Sequence, residues 1–347
     1  MTAASSPKKF LAALAGERQS IPPIWLMRQA GRYLQEYREI RAQAKSFIDF
    51  CYTPAFTVEA TLQPIRRFGF DAAILFSDIL VLPDALGQPV SFETGEGPRL
   101  PPIEDEAAFL KLREEPDWVR LAPVFETIEQ LRVKLPGETA LIGFCGAPWT
   151  VASYMIAGHS TPDQAPARLF AYKNRELFQR LIDRLADASA DYLARQIAAG
   201  AEAVQIFDSW SGVLPPEEFE RWSVAPLQRL VGRLRKTAPK TPIIAFPRGA
   251  ATYLGRFAEV DGLAAIGLDT AIDPDVAAKL LPDHLALQGN LDPLALLAGG
   301  RALDEGIDRV LAGFDGRAHI FNLGHGILPQ TPVAHVERLM QRLRTSA

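Results

Sequence analysis

Eight times along its 347 residues the chain passes through a short, continuously apolar, β-rich run, breaks on glycine or polar residues, and enters a stretch with helical spacing. The runs are residues 24–27, 72–76, 140–144, 203–207, 243–246, 263–267, 285–288 and 319–322. Uninterrupted apolar runs mark parallel strands buried on both faces, whereas half-exposed strands alternate. Between them lie amphipathic stretches. One carries Leu177, Leu181, Leu185, Ala188, Tyr192 and Leu193 before a stop at Gly200. The last predicted helix has Thr331 as N-cap, Pro332 in its first turn, then His335, Val336, Leu339 and Leu343. Strands alternating with helices imply a parallel sheet, and eight of them point to α/β architecture of the (β/α)8 TIM-barrel kind.

The competing fold is an open, doubly wound sheet, whose first strand usually leads into a glycine-rich phosphate turn. Here the first run leads into Arg28-Gln29-Ala30-Gly31-Arg32, so the barrel is favoured. Residues 89–102 break the rhythm, and Val90, Phe92 and a Gly95-Glu96-Gly97 turn predict a small hairpin excursion. There is no internal repeat or low-complexity tract. One domain is expected over residues 1–347, with an N-terminal segment to residue 20 and the core from about 21 to 345.

Apolar residues make up 48% and charged residues 22%, as in a globular protein with a large core. No apolar run approaches bilayer length, and the polar N-terminus has no signal-peptide core. Two cysteines, Cys51 and Cys145, argue against a disulfide scaffold and for a reducing cytoplasm. A net charge of −4 argues against a nucleic-acid or anionic-membrane binder. An acidic substrate would therefore need a local basic site.

In a barrel, the loops beyond the strands' C-terminal ends converge on one face. Those loops hold Arg28 and Arg32, Ser77 and Asp78, Gly146, Trp149 and Tyr154, then Asp208, Ser209 and Trp210, Arg248, Asp269, Asn290 and Asp292, and His325. Arg28 and Arg32 are four apart, so a helical turn would point both one way, with Arg38 and Arg41 nearby. Their forked guanidiniums suit carboxylates, and Gly31 would let a ligand approach the backbone. The plainer reading is a solvated face partnered by Glu36 and Glu39. Asp78 sits inside an apolar run, which is costly unless it is paired; it is either a functional carboxylate or a cap for the segment that follows. Gly143 to Thr150 with Tyr154 reads as a pocket wall for a flat ligand, or as loop packing. Cys145 is a buried filler, and His325 between two glycines is an exposed imidazole or a structural one. No paired metal-ligand spacing occurs.

Taken together the motifs resemble those of uroporphyrinogen decarboxylases. The stretch Pro22-Pro23-Ile24-Trp25-Leu26-Met27-Arg28-Gln29-Ala30-Gly31-Arg32-Tyr33-Leu34 is similar to that family's N-terminal signature, and Gly143 through Tyr154 to its second. Phe76-Ser77-Asp78-Ile79-Leu80, Phe207-Asp208-Ser209-Trp210, Phe246-Pro247-Arg248-Gly249, Gly289-Asn290-Leu291-Asp292-Pro293 and Phe321-Asn322-Leu323-Gly324-His325-Gly326 also match. One departure is Gln35, where the family usually has proline. The resemblance implies a cofactor-free, metal-free, cytoplasmic carboxy-lyase. It would convert uroporphyrinogen III to coproporphyrinogen III and CO2 as a homodimer, with no nucleic-acid or membrane partner. It also implies Asp78 and Arg28 as catalytic residues, and Arg28, Gln29, Ala30, Gly31, Arg32, Phe47, Asp78, Tyr154, Ser209 and His325 as substrate-binding residues. Two rivals are a zinc methyltransferase of the same barrel superfamily and a non-enzymatic tetrapyrrole carrier. The first needs His and Cys ligands near the barrel's end, which this chain lacks; turnover separates the second.

Overall fold

The computed structural model describes residues 8–93 and 97–345, and seven of the eight apolar runs form strands in it. In chain order the strands are β1 (Ala72–Ile74), the hairpin β2 (Ser91–Glu93) and β3 (Gly97–Arg99), β4 (Ala140–Gly146), β5 (Ala203–Asp208), β6 (Ile243–Pro247), β7 (Ala265–Gly267), β8 (Ala286–Leu291) and β9 (His319–Leu323). β1 and β4 to β9 form one all-parallel sheet in sequence order, as right-handed β–helix–β crossovers produce. The predicted excursion is the antiparallel pair β2–β3, with Phe92 opposite Pro98. Gly95 and Glu96 of its expected turn lie outside the described residues.

The first run, 24–27, does not become a strand. It makes a single parallel bridge, Ile24 to Phe321 of β9, and yet it closes the barrel. On one side Phe321 N donates to Pro23 O at 2.9 Å and Trp25 N to Phe321 O at 3.4 Å. On the other, Asp71 N donates to Ile24 O at 2.9 Å. Two prolines, Pro22 and Pro23, supply no N–H, so the ladder cannot extend backwards. Side chains take over the remaining groups. Ile24 N reaches Asp71 Oδ2 (2.8 Å), Leu26 N reaches Gln29 Oε1 (3.0 Å), Met27 N reaches Asn322 Oδ1 (2.9 Å), and Gln29 Nε2 reaches Ala72 O (3.1 Å).

Alternate residues of the strands face two cores. Inside the barrel lie Trp25, Ala72, Ala140, Ile142, Ile244, Phe246, Ala265, Ala286 and Ile320. Alanine on several strands leaves room for the large rings from the others. The helix Lys9–Leu14 plugs the N-terminal end with Phe10, Ala13 and Leu14. The outer core packs the opposite parity, including Ala73, Leu141, Val204, Ile243 and Leu287, against the surrounding helices. The longest of these, Arg175–Ala199, turns Leu181, Leu185, Ala188 and Tyr192 inward and stops at Gly200, where φ is +129°. The last helix runs Val333–Thr345. Thr331 does not cap it as expected, because it is buried in the preceding turn with its hydroxyl unpaired.

A chain of side-chain hydrogen bonds crosses the barrel interior: the Trp25 indole Nε1 donates to Gln288 Oε1 (2.9 Å), and Gln288 Nε2 to Gln205 Oε1 (3.0 Å). Gln288→Leu would strand a buried donor and a buried acceptor at about 1–3 kcal/mol each. We expect denaturant unfolding to show a loss of roughly 2–4 kcal/mol.

Candidate active site

The closing run ends at Arg28, whose φ of +61° places a non-glycine residue in the left-handed region. Such a conformation costs on the order of 1 kcal/mol and is enriched at functional sites. The turn is held by Gln29 N to Leu26 O (2.9 Å) and Leu34 N to Gly31 O (3.0 Å). A Cβ on Gly31 would press within 3.0 Å of Arg28 O, so glycine is what this tight turn accommodates. Helix begins only at Gln35 (Gln35–Arg41), so Arg28 and Arg32 do not share a helical face. The i,i+4 argument fails here because Gln29 commits its side chain to the barrel wall and forces a turn.

Arg32 is exposed on this turn, with Arg38 donating to its carbonyl at 2.6 Å. The carboxylates that would partner a solvated face are engaged elsewhere: Glu36 with Arg67 (2.9 Å) and Glu39 with the Gln35 amide (2.9 Å). No described acidic side chain forms an ion pair with Arg28 or Arg32. Gln29 is buried in the wall, and only its backbone lies on the turn with Ala30 and Gly31.

Asp78 follows β1 and faces Arg28. Its Oδ1 accepts Leu80 N at 2.8 Å, so the capping bond exists, and the Arg28 charge acts on the same carboxylate. Burial pushes the Asp78 pKa above its usual value, while Leu80 N–H and Arg28 oppose the shift. His325 follows β9 and also lies within the field of Arg28. Burial, with the charges of Arg28 and Arg248, pushes its pKa down to about 3, and its Nδ1 is buried without a partner. The imidazole is therefore neutral at ordinary pH. A Cβ on Gly326 would lie 2.8 Å from Arg28 Cγ and closer still to Cδ, so this glycine makes the channel that Arg28 crosses.

Tyr154 projects from the helix Pro148–Ala157 after β4, 6.5 Å from the Trp210 ring and within the field of Asp78 and Arg28. Ser209 is half-buried beside Trp210. Their loop is locked from beneath by Asp208, whose buried carboxylate accepts from Thr150 Oγ1 (2.7 Å) and from Ser223 Oγ. Burial pushes Asp208 up to about 6. Trp149 is fully buried and donates to Trp210 O (2.9 Å), so it braces the loop and is not a pocket wall. Asp269 and Asp292 fix loops as well, through Ala271 N and Leu294 N, both at 2.8 Å.

Phe47 packs edge-on against Phe76 (6.2 Å) and against Phe92 of the hairpin (4.7 Å), which sets it beside the Asp78 loop. Cys51 and Cys145 are buried with raised pKa values, that of Cys145 up to about 12, which suits packing and not nucleophilic attack. Among the described residues no group of three or more His, Cys, Asp or Glu could hold a metal ion. Of the two residues that place the Ser209 loop through Asp208, the sequence marks Thr150 only as part of the Gly143–Thr150 stretch and does not single out Ser223. Nothing in a lone Thr or Ser signals such a role.

A closed parallel barrel with a carboxylate, unpaired guanidiniums, a neutral imidazole and aromatics at the strands' C-terminal ends defines an α/β-barrel enzyme for an anionic, partly flat substrate. The model of the family described as "Uroporphyrinogen decarboxylase (URO-D)" matches residues 5–346. The chain is 55% identical to the uroporphyrinogen decarboxylase of Sphingopyxis alaskensis over 340 residues, 98% of this chain and 99% of that one. It is 56% identical to that of Brucella anthropi over 337 residues, 97% and 98% of the two chains. The chain belongs to the uroporphyrinogen decarboxylase family. Among solved structures, a methyltransferase from Methanosarcina mazei shares the fold with a TM-score of 0.78 at 21% identity, covering 97% of each chain. A B12-independent methionine synthase from Shewanella sp. W3-18-1 has a TM-score of 0.57 at 11% identity, covering 93% of this chain and 98% of that one. These identities carry the fold alone.

Gly326→Ala tests the placement of Arg28 without touching a charge. The added methyl displaces the Arg28 side chain, and we expect kcat/KM to fall on the order of 10- to 100-fold, a misplacement effect. Near-wild-type kcat/KM in a folded variant would show that the position of Arg28 does not matter.

Proposed function

We propose that this enzyme removes the carboxyl groups of the four acetate arms of uroporphyrinogen III, giving coproporphyrinogen III and CO2. The observation that carries the reading is the placement of the Asp78 carboxylate within the field of an Arg28 that no carboxylate neutralises, in a mouth that also holds Tyr154, Trp210 and His325. A porphyrinogen is a flexible, non-aromatic macrocycle whose four pyrrole N–H groups converge on one carboxylate, the role given to Asp78. Arg28 and Arg32 grip carboxylate arms with bidentate hydrogen bonds. Phe47, Tyr154, Ser209, neutral His325 and the backbone of Gln29, Ala30 and Gly31 complete the substrate surface.

Losing CO2 from an acetate requires a place for the electrons of the breaking C–C bond. A proton delivered to the adjacent ring carbon makes a pyrrolic cation that takes them. The exocyclic methylene so formed is protonated to a methyl as the ring proton leaves, so each carboxylate lost consumes one net proton. Asp78 as carboxylate stabilises the cation, and Arg28, directly or through a water it orients, supplies the proton. No metal or organic cofactor enters this sequence. We further propose a homodimer with facing mouths and a cytoplasmic location. No described helix is long and apolar enough to cross a membrane. Light scattering should give about twice 38.1 kDa, and a monomer mass would contradict the dimer.

Incubation with reduced uroporphyrinogen, followed by chromatography of the oxidised products, reads the activity. Asp78→Asn should lower kcat by about 10²–10³, and Asp78→Glu should retain part of it. If Asp78 were only a cap, Asn would serve equally well and kcat would hold. The fold disfavours the charged form of Asp78, so Asp78→Asn should unfold no more easily than wild type at neutral pH. The pH profile follows from the same shift. Because the Asp78 pKa is raised, kcat/KM should fall with acid through a value above the ordinary 3.8. His325 stays neutral until about 3 and does not contribute to that limb.

A further inference from the structure

Arg248 follows β6, at the C-terminal end of the barrel beside Trp210. Its backbone is held on both sides: its N–H donates to Asp208 O at 3.0 Å, and its carbonyl accepts from Gly212 N at 3.1 Å and Ser211 Oγ at 3.2 Å. Gly212 and Gly249 press backbone to backbone, since a Cβ on Gly212 would sit 2.6 Å from Gly249 Cα. The loops after β5 and β6 therefore form one rigid shelf. The side chain it presents makes no hydrogen bond or ion pair with a described residue. No described carboxylate pairs with Arg248, and its guanidinium carbon lies 5.8 Å from the centre of the Trp210 ring. An aromatic face orients a guanidinium without neutralising it. Both Arg28 and Arg248 act on His325, but of the two it is Arg28 whose charge reaches Asp78.

We propose that Arg248 is a carboxylate-binding residue of the substrate mouth and that it holds a propionate arm, one that survives the reaction. The proposal rests on the decarboxylase reading above. A carboxylate that departs as CO2 loses its charge on the way to the transition state. A tight ion pair on that group favours the ground state and opposes the step. An arm that keeps its charge is bound equally in substrate, transition state and product, so pairing it adds affinity without slowing chemistry. Arg248, set on the β5–β6 shelf against Trp210, is the cation suited to that arm, while Arg28 acts on Asp78.

The test is Arg248→Gln, with Arg248→Lys beside it, in the full-length enzyme. For Arg248→Gln we expect KM for uroporphyrinogen to rise about 10- to 100-fold, with kcat within about twofold. The dissociation constant of coproporphyrinogen III, which keeps its propionates and has no acetates, should rise by the same factor. Arg248→Lys keeps the charge and loses the fork, so both constants should rise together by less. If Gln at this position prevents folding, the paired rise in the Lys variant carries the test alone. Unchanged KM, or a raised KM with product affinity unchanged, overturns the assignment; the second result makes Arg248 an acetate ligand. A fall in kcat at constant KM overturns it too, because the residue then acts in the chemical step. Wild-type enzyme that does not consume uroporphyrinogen would retire the decarboxylase reading itself, whereas active wild type with an indifferent Gln variant retires only the role of Arg248.

Discussion

Three backbone hydrogen bonds close the barrel between β9 and β1: Phe321 N to Pro23 O, Trp25 N to Phe321 O, and Asp71 N to Ile24 O. A normal strand in this place would bond along its length on both sides. The two prolines before Ile24 prevent that, and the side chains of Asp71, Gln29 and Asn322 complete the seam. Asp71 does more, because its Oδ2 also accepts Arg344 of the last helix at 3.0 Å. One carboxylate thus joins the first barrel run, the entry to β1 and the C-terminal helix. Because the run ends early, the chain turns at Arg28, and the turn sends that side chain over Gly326 toward Asp78 and His325. The mouth's central cation is a consequence of how the barrel closes.

The electrostatics of the mouth answer the charge balance of the chain. With a net charge of −4, the protein as a whole does not attract an anion. The mouth supplies the local basic groups, with Arg28, Arg32 and Arg248 free of described carboxylate partners beside Asp78, while Asp208, Asp269 and Asp292 are occupied in fixing loops. Its histidine adds no charge, since burial and the two arginines hold it neutral. Binding carboxylates and stabilising a cation make opposite demands on one cleft. Arginines left without carboxylate partners, together with an Asp78 that is not locked in an ion pair, meet both.

Most of the architecture is legible in the sequence because strands buried on both faces leave uninterrupted apolar runs. Seven of these became strands within a few residues of their expected ends, β8 running on to Leu291. The eighth was apolar enough to be found, but its pairing depends on two prolines, on the distant side chains of Asp71 and Asn322, and on Gln29 just beyond its end. Asp78 was visible as a carboxylate inside an apolar run. The geometry of Arg28 was not, because left-handed backbone is anticipated at glycine or asparagine, and an arginine there is imposed by tertiary structure. Asp208 reaches Thr150 across 58 residues and Ser223 across 15, and no local pattern joins them. Thr331 has the residue type of a cap, yet burial in a turn overrode its preference.

Along the barrel axis the polarity changes in steps. Phe10 and Leu14 seal one end, small and branched residues fill the next level, and the Trp25–Gln288–Gln205 hydrogen bonds lie among them, with charged groups at the open end. A stiff, hydrogen-bonded interior matters because the mouth is held in unfavourable states. Arg28 has strained backbone, and burial disfavours the charged form of Asp78. For a carboxylate with a raised folded pKa, stability falls as pH rises through that pKa, so ionising Asp78 weakens the fold. A tetrapyrrole carrier would gain nothing from this arrangement, since arginines alone suffice to hold carboxylate arms. The cost makes sense where a fixed negative charge must meet a cation that exists only during the reaction. That is the physical ground on which this mouth reads as catalytic.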